Sequence, residues 1–317
     1  MMDIIRWDGN PISKPGLYEK VPLSIYHSGR LCVGPSISHS GLHRIVSPEG
    51  SEAHFYDTWP LNPDRNPDAD DDSEAIILGR ATHHLLLGEP NFKSEFVVTP
   101  DRAPDAKGVM GPWNGNKTYC QEWLATRKAE GMTVLKPAWV ERIKGMAMSL
   151  SRQPLVRQGA LNGLIETTMA WFDEETRVWL LNRPDVIPTD SGDVVDLKTI
   201  RSTAPHVISR TIGERGYHMQ GALVKDGFKT VTGTDMASFS LYFIESDRPH
   251  CCALYRLTDR DLKIGHDLYR AALKRFVLAV NTGEWPGPGG PQTVERYMSI
   301  SERQRALDEA IIARSVT

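Results

Sequence analysis

The chain has 317 residues, 40% of them apolar and 24% charged, enough to bury a substantial core in one large domain or two ordinary ones. A formal charge of -3 argues against an indiscriminate nucleic-acid binder, and four cysteines (Cys32, Cys120, Cys251, Cys252) are too few for a disulfide scaffold. No apolar run reaches the ~18–20 residues of a membrane span, and the N-terminus has no basic segment leading into an apolar one, so a soluble, cytoplasmic protein is expected.

The first predicted element is a short helix over 38–46 (SHSGLHRIV), with Leu42, Ile45 and Val46 inward and Ser47-Pro48 as its stop. His39 and His43 stand four apart on it, a zinc-like spacing with no Cys or acidic partner nearby, so a surface or helix-end role is expected. Residues 60–74 (PLNPDRNPDADDDSE) combine three prolines with six carboxylates and read as a solvated loop. The Asp70-Asp71-Asp72 run within it is expected to be solvated rather than metal-bound. Ser73 offers an N-cap to a helix from 74 to about 87, in which Ile76, Gly79, His83 and Leu87 form the inward stripe. His84 is rotated about 100° from His83 and is expected to be a packed histidine. Two further helices follow, over about 117–130 and 138–151, the latter with Pro137 near its first turn.

From 163 the period shortens to two. Residues 163–172 (GLIETTMAWF), 177–187 (RVWLLNRPDVI) and 193–199 (DVVDLKT) read as three strands, the first two joined as a hairpin by Asp173-Glu174-Glu175. A helix over about 203–226, strands over 237–245 and 250–257, and a helix from 259 to about 280 complete the series. Adjacent Cys251 and Cys252 should alternate faces as ordinary thiols. The expected fold is α/β: a mixed central sheet flanked by helices, with a helical N-terminal extension.

Chemistry concentrates at Asp185 and at Asp196-Leu197-Lys198. Alternation along a strand puts Asp196 and Lys198 on one face and Leu197 in the core. An Asp and a Lys two apart are usually a weak surface ion pair worth ~0–1 kcal/mol. Here Val194, Val195 and Leu197 mark the strand as buried, where charges cost several kcal/mol unless paired or metal-bound. Two converging carboxylates suit a hard cation. The surface-pair and metal-site readings both stay open on this segment alone.

Taken together, these residues resemble the PD-(D/E)xK nuclease superfamily, and within it the RecE-type (exonuclease VIII-like) exonucleases of phages and prophages. Arg183-Pro184-Asp185 and, after ten intervening residues, Asp196-Leu197-Lys198 match the PD…DxK core. The run 79–83 (GRATH) followed by Leu85-Leu86-Leu87 looks like the family's G-x-A-x-H helix. Glu166 matches an acidic position, and Tyr217 and Gln220 match the Y-x-x-Q helix behind the lysine. The resemblance covers roughly 35–290, leaving 1–34 as an N-terminal extension and 291–317 as a C-terminal tail helix in which Leu307 and Ile311 share a face. It implies that Asp185, Asp196, His83 and the Leu197 carbonyl hold Mg²⁺, with Mn²⁺ as a substitute, and that Glu166 acts through a metal-bound water. Lys198 would position the attacking water, while Gln220 and Tyr217 would support the lysine or bind the DNA backbone.

The implied activity is a Mg²⁺-dependent exodeoxyribonuclease that works from double-stranded DNA ends and leaves single strands for recombination. The implied partners are DNA ends, a single-strand annealing protein and further copies of the chain in a ring, with no membrane. Alternatives are an endonuclease or single-strand nuclease on the same core, or a degenerate DNA-end-binding protein. Iron–sulfur relatives carry a cysteine cluster after the core; only Cys251 and Cys252 lie there, so no cluster is expected. The negative charge sits mostly in residues 1–90, net -6. Lys198 to residue 230 is locally basic, and Arg201, Arg210 and Arg215 are the expected DNA contacts.

Overall fold

The computed structural model describes residues 3–65, 73–88, 92–105, 107–189, 191–290, 299 and 301–315; it includes the side chains of this set except 307 and 310–315. The carboxylate run 70–72, and the side chains of Leu307 and Ile311, lie outside the described set. In chain order, β1 (Ile4–Arg6), β2 (Gly16–Glu19), α1 (Leu23–Tyr26) and β3 (Ser36–Ser38) lead into α2 (His39–Val46), α3 (Glu52–Thr58) and α4 (Glu74–Leu86). Next come α5 (Phe92–Glu95), β4 (Phe96–Val98), β5 (Arg102–Pro104), β6 (Met110–Pro112), α6 (Thr118–Ala129), β7 (Thr133–Leu135), α7 (Pro137–Ser151) and α8 (Pro154–Arg157). The remainder is β8 (Leu164–Ile165), β9 (Thr168–Asp173), β10 (Val178–Asn182), β11 (Val186–Ile187) and β12 (Asp193–Ile200), then α9 (Pro205–Glu214) and α10 (Tyr217–Thr232). The strands β13 (Ser238–Glu245) and β14 (Cys252–Arg256) follow, with α11 (Asp259–Thr282) and α12 (Glu302–Ser315).

The mixed α/β fold with helices flanking its strands is as expected, but the central strands divide into two five-stranded sheets, ordered β1-β2-β9-β10-β3 and β14-β13-β12-β11-β8, beside the small pairs β4-β7 and β5-β6. The reason lies in the hairpin. Each of its two predicted strands breaks in the middle, so that β9 and β10 belong to the first sheet while β8 and β11 belong to the second. One break is at Glu166, whose φ of 48° is outside the extended region; the other is at Pro184, which has no N–H to continue a ladder. The segment before 35 also departs from expectation, because β2 pairs antiparallel with β9 and carries β1 to the sheet's edge. Period-two patterns of only three or four residues are too short to register in the sequence.

The largest core joins both sheets to α2, α10 and α11 through residues such as Leu42, Ile45, Trp171, Leu180, Phe239, Leu223 and Phe276. A second core packs α4 and α7 on the other face of β12, through Leu78, Ala81, Trp139, Ile143, Val195 and Leu197. Alternation along β12 therefore holds as expected: Val194 serves one core, Val195 and Leu197 the other. On α4 the inward stripe is shifted from the predicted one. Leu78, Ala81, Thr82 and His84 are buried while Ile76 is exposed, because the helix is covered by β12 on one side and by Phe92 and Phe96 on the other. His84 is the packed histidine expected.

The helix predicted over 203–226 is two helices. Gly216, at φ 64°, turns the chain between α9 and α10 in a conformation that costs a glycine little. Helix α11 starts on Thr258, whose hydroxyl accepts from the Asp261 N–H, as a capping residue should. Among the described residues, all four cysteines are free thiols, and no helix is long and apolar enough to cross a membrane.

Candidate active site

The site lies where the hairpin passes from one sheet to the other. Antiparallel pairing of Val186 with Val195 sets Asp185 beside Asp196. Backbone bonds tie the two strands here: the Asp185 N–H donates to Asp196 Oδ1 at 3.1 Å, and the Leu197 N–H donates to Asp185 Oδ2 at 2.6 Å. Both carboxylates are buried, Asp196 to 1% exposure. Its Oδ2 accepts from Gln220 Nε2 at 2.7 Å and pairs with the Lys198 ammonium. That ammonium sits 4.9 Å from the Tyr217 ring centroid, in cation–π geometry. Tyr217 and Gln220 are three residues apart at the start of α10 and reach the same pair of charges from one helix face.

On the other side of Asp185 lies an imidazole. His83 Nδ1 is 3.2 Å from Asp185 Oδ1. Gly79, one turn earlier, brings α4 close to β12: a Cβ there would lie 3.4 Å from Thr199 Oγ1. The backbone turn at Glu166 is tied to the same place by its N–H, which donates to the Asp185 carbonyl at 3.1 Å. Candidate ligand atoms of His83, Glu166 and Asp185 all lie within 4.8 Å of one another. Two carboxylates with one imidazole, and no thiolate among them, form a donor set that fits a divalent cation of the Mg²⁺ or Mn²⁺ class.

Charge in this interior is strongly coupled. Burial would raise the Asp185 carboxyl, but His83, Lys198 and the Leu197 N–H hold it below the usual range. Burial and the Asp185 charge push Asp196 up despite its lysine. Burial would lower Lys198, yet Asp196 and Asp185 raise it, so it stays an ammonium. Burial also works to lower His83, and the Asp185 carboxylate more than reverses it.

A family model described as a PDDEXK-like domain of unknown function (DUF3799) matches residues 38–296. The chain belongs to that family. It is a nuclease by class, and the fold agrees. A solved structure of a candidate exonuclease from Eubacterium rectale aligns over 84% of this chain and 91% of its own, at 15% identity and a TM-score of 0.54, which shows a shared fold. A phage-related exonuclease from Haemophilus somnus 129PT, at 11% identity over 64% of this chain and 95% of its own, has a TM-score of 0.28 and carries no argument. No curated protein matches the chain.

Within this PDDEXK-like domain, the structure gathers His83, Glu166, Asp185, Asp196, Lys198, Tyr217 and Gln220 at one place. It does not add Arg210, an exposed side chain paired with Glu214 on α9 at 2.6 Å. Arg201 is exposed just past β12, and Arg215 caps the end of α9 near His43. Sequence reasoning missed Arg183. Its Nε lies 2.8 Å from Glu166 Oε2 and its Nη1 donates to the Val21 carbonyl at 2.9 Å, linking the site to the segment before 35. The signal was present as the residue flanking Pro184-Asp185, but its partners are remote in sequence.

Proposed function

We propose that this PDDEXK-like nuclease is a Mg²⁺-dependent exodeoxyribonuclease that hydrolyses phosphodiester bonds from double-stranded DNA ends, leaving single-stranded DNA for recombination or annealing. The carrying observation is the Asp185–Asp196–Lys198 arrangement, two buried carboxylates accepting from the Leu197 and Asp185 backbone N–H groups, with an ammonium one pleat along. In this reading Asp185, Asp196 and the Leu197 carbonyl hold the metal with His83, and Glu166 stands near enough to join directly or through water. A divalent cation held there would supply Lewis-acid polarisation of the phosphate and a lowered pKa for water.

The protein's own groups supply position and charge. Lys198 orients the attacking water and offers its N–H groups to the phosphate oxygens as charge builds on them. Asp196 keeps that ammonium in place by ion pairing, Tyr217 by its ring face, and Gln220 by donating to the same Asp196 Oδ2 that pairs with the lysine. Arg201, Arg210 and Arg215 would meet the DNA backbone outside this interior. The nuclease unit is taken as 35–290, with β1 and β2 extending its first sheet and 291–317 as a tail. The preference for ends rests on the RecE-like motif set and on the description of the Eubacterium rectale protein as a candidate exonuclease. A ring of copies around DNA and an annealing partner belong to the same reading.

The test uses end-labelled linear duplex and covalently closed circles, each with Mg²⁺, Mn²⁺ or EDTA. Release of label from linear duplex only, and only with metal, supports the proposal. Loss of closed circles at a similar rate would replace it with an endonuclease.

A further inference from the structure

The histidines of α2, His39 at its first position and His43 in its last turn, are half-buried. The His39 ring reaches across to the α9–α10 corner, where its Nε2 lies 3.0 Å from the Gly216 carbonyl. A carbonyl only accepts, so Nε2 carries the proton. The same carbonyl receives the first intrahelical bond of α10, from the Gln220 N–H at 3.0 Å. His43 stacks on His39 with ring centroids 5.8 Å apart at 26°, and its ring lies so close to Gly216 that a Cβ there would collide with it. Burial, the neighbouring His43 and the cationic Lys198 lower His39 to about 3, with the Gly216 bond opposing them, so the ring is neutral at working pH.

What this corner carries is the lysine side of the site. Tyr217 is the first residue of α10 and faces Lys198; Gln220, one turn on, holds Asp196. Among the described residues, α2 reaches those charges only through this corner. We propose that His39 and His43 are positioning residues for the reaction: His39 anchors the Gly216 carbonyl, His43 packs on the bare Gly216 Cα, and together they set where Tyr217 and Gln220 hold Lys198 and Asp196. The inference rests on the nuclease reading of that site. Small displacements are costly at such a place, since misplacing a reacting group by ~1 Å loses about 100-fold in rate.

The experiment measures single-turnover cleavage of linear duplex and duplex affinity for the full chain and its variants. His39→Leu removes the donor and keeps the bulk; His39→Gln keeps an N–H at similar reach. We expect His39→Leu to slow cleavage about 10- to 100-fold with DNA affinity little changed, and His39→Gln to recover most of that loss. In a Tyr217→Leu/Gln220→Leu background, His39→Leu should cost less than about 2-fold, because its effect runs through those residues.

Gly216→Ala gives a second route that does not depend on His39 variants folding. It should slow cleavage, and adding His43→Ala, which empties the space the new Cβ needs, should return part of the rate. Equal losses in His39→Leu and His39→Gln, a loss in DNA affinity alone, an undiminished cost in the double background, or no recovery from His43→Ala would each overturn the inference. An inactive wild-type protein would instead overturn the nuclease reading, and the inference with it.

Discussion

The two sides of Asp185 are built differently. On the lysine side, Asp196 is 1% exposed and both of its oxygens are engaged, by the Asp185 N–H, by Gln220 and by Lys198. On the imidazole side, the His83 and Glu166 side chains are 21% and 17% exposed and come from a helix and a broken strand rather than from one continuous ladder. In the first arrangement the charges are fixed against one another before any ligand arrives, although the Lys198 side chain, at 18% exposure, is as reachable as Glu166. The second leaves donor atoms convergent within 4.8 Å and reachable. A hydrolase needs both, a preorganised field and a place for a cation to enter.

Changes on the lysine side should have the largest effects. Lys198→Met is expected to reduce cleavage by about 100- to 1000-fold, the range for losing one charge-stabilising donor. It also leaves a carboxylate in the core without its cation, a change that costs about 3–5 kcal/mol of stability unless Asp196 protonates. Urea unfolding alongside the cleavage assay separates the two effects. Equal cleavage by the folded variant would mean that the lysine is only a structural partner.

On the imidazole side the order reverses: metal response should fall while stability holds. Wild type at a metal concentration near 100 Kd should gain about 2.7 kcal/mol of stability from binding. His83→Asn and Glu166→Gln should lose most of that gain, yet unfold in EDTA close to wild type. A full metal-induced shift in both variants would erase the contrast between the sides.

Glu52 and Arg275 supply a control far from the seam. Glu52 is buried and bonded by Arg275 Nε and Nη2, both at 2.6 Å, joining α3 to α11. The Arg275 hydrogen bond holds the Glu52 carboxyl below its ordinary 4.5. With a depressed folded pKa, the pair's contribution is complete above pH 4.5 and disappears as pH falls through the lower, folded value. Glu52→Gln should cost about 1.5–3 kcal/mol at neutral pH, much less in acid, and leave metal response unchanged. The smallest effect is expected at Gly79→Ala, where a helix-propensity gain of about 1 kcal/mol meets a new 3.4 Å contact with Thr199. Net stability should stay within that amount, by thermal melting.

These contrasts also mark what the sequence could tell. Asp196 and Lys198 were legible because strand alternation is a local rule, and Val194, Val195 and Leu197 state the burial. Tyr217 and Gln220 were legible only through the resemblance to the Y-x-x-Q helix, with which their spacing of three agrees. The strand breaks at Glu166 and Pro184 were not, since a hairpin that changes sheets keeps its alternating pattern while its partners change. The turn at Gly216 was hidden because Gly occurs in helices too; only the His43 ring packed on it shows why no side chain fits. Arg183 and His39 act through Val21, Glu166 and Gly216, contacts that link residues distant along the chain. The β1 and β2 strands are simply too short to carry a period.

The central claim is that the seam between the sheets hydrolyses phosphodiester bonds through Asp185. Single-turnover cleavage of end-labelled linear duplex by Asp185→Asn, in saturating Mg²⁺ and beside a direct measurement of DNA binding, tests it most directly. The account predicts bound duplex with label release at background. Release at the wild-type rate by the folded variant would contradict it.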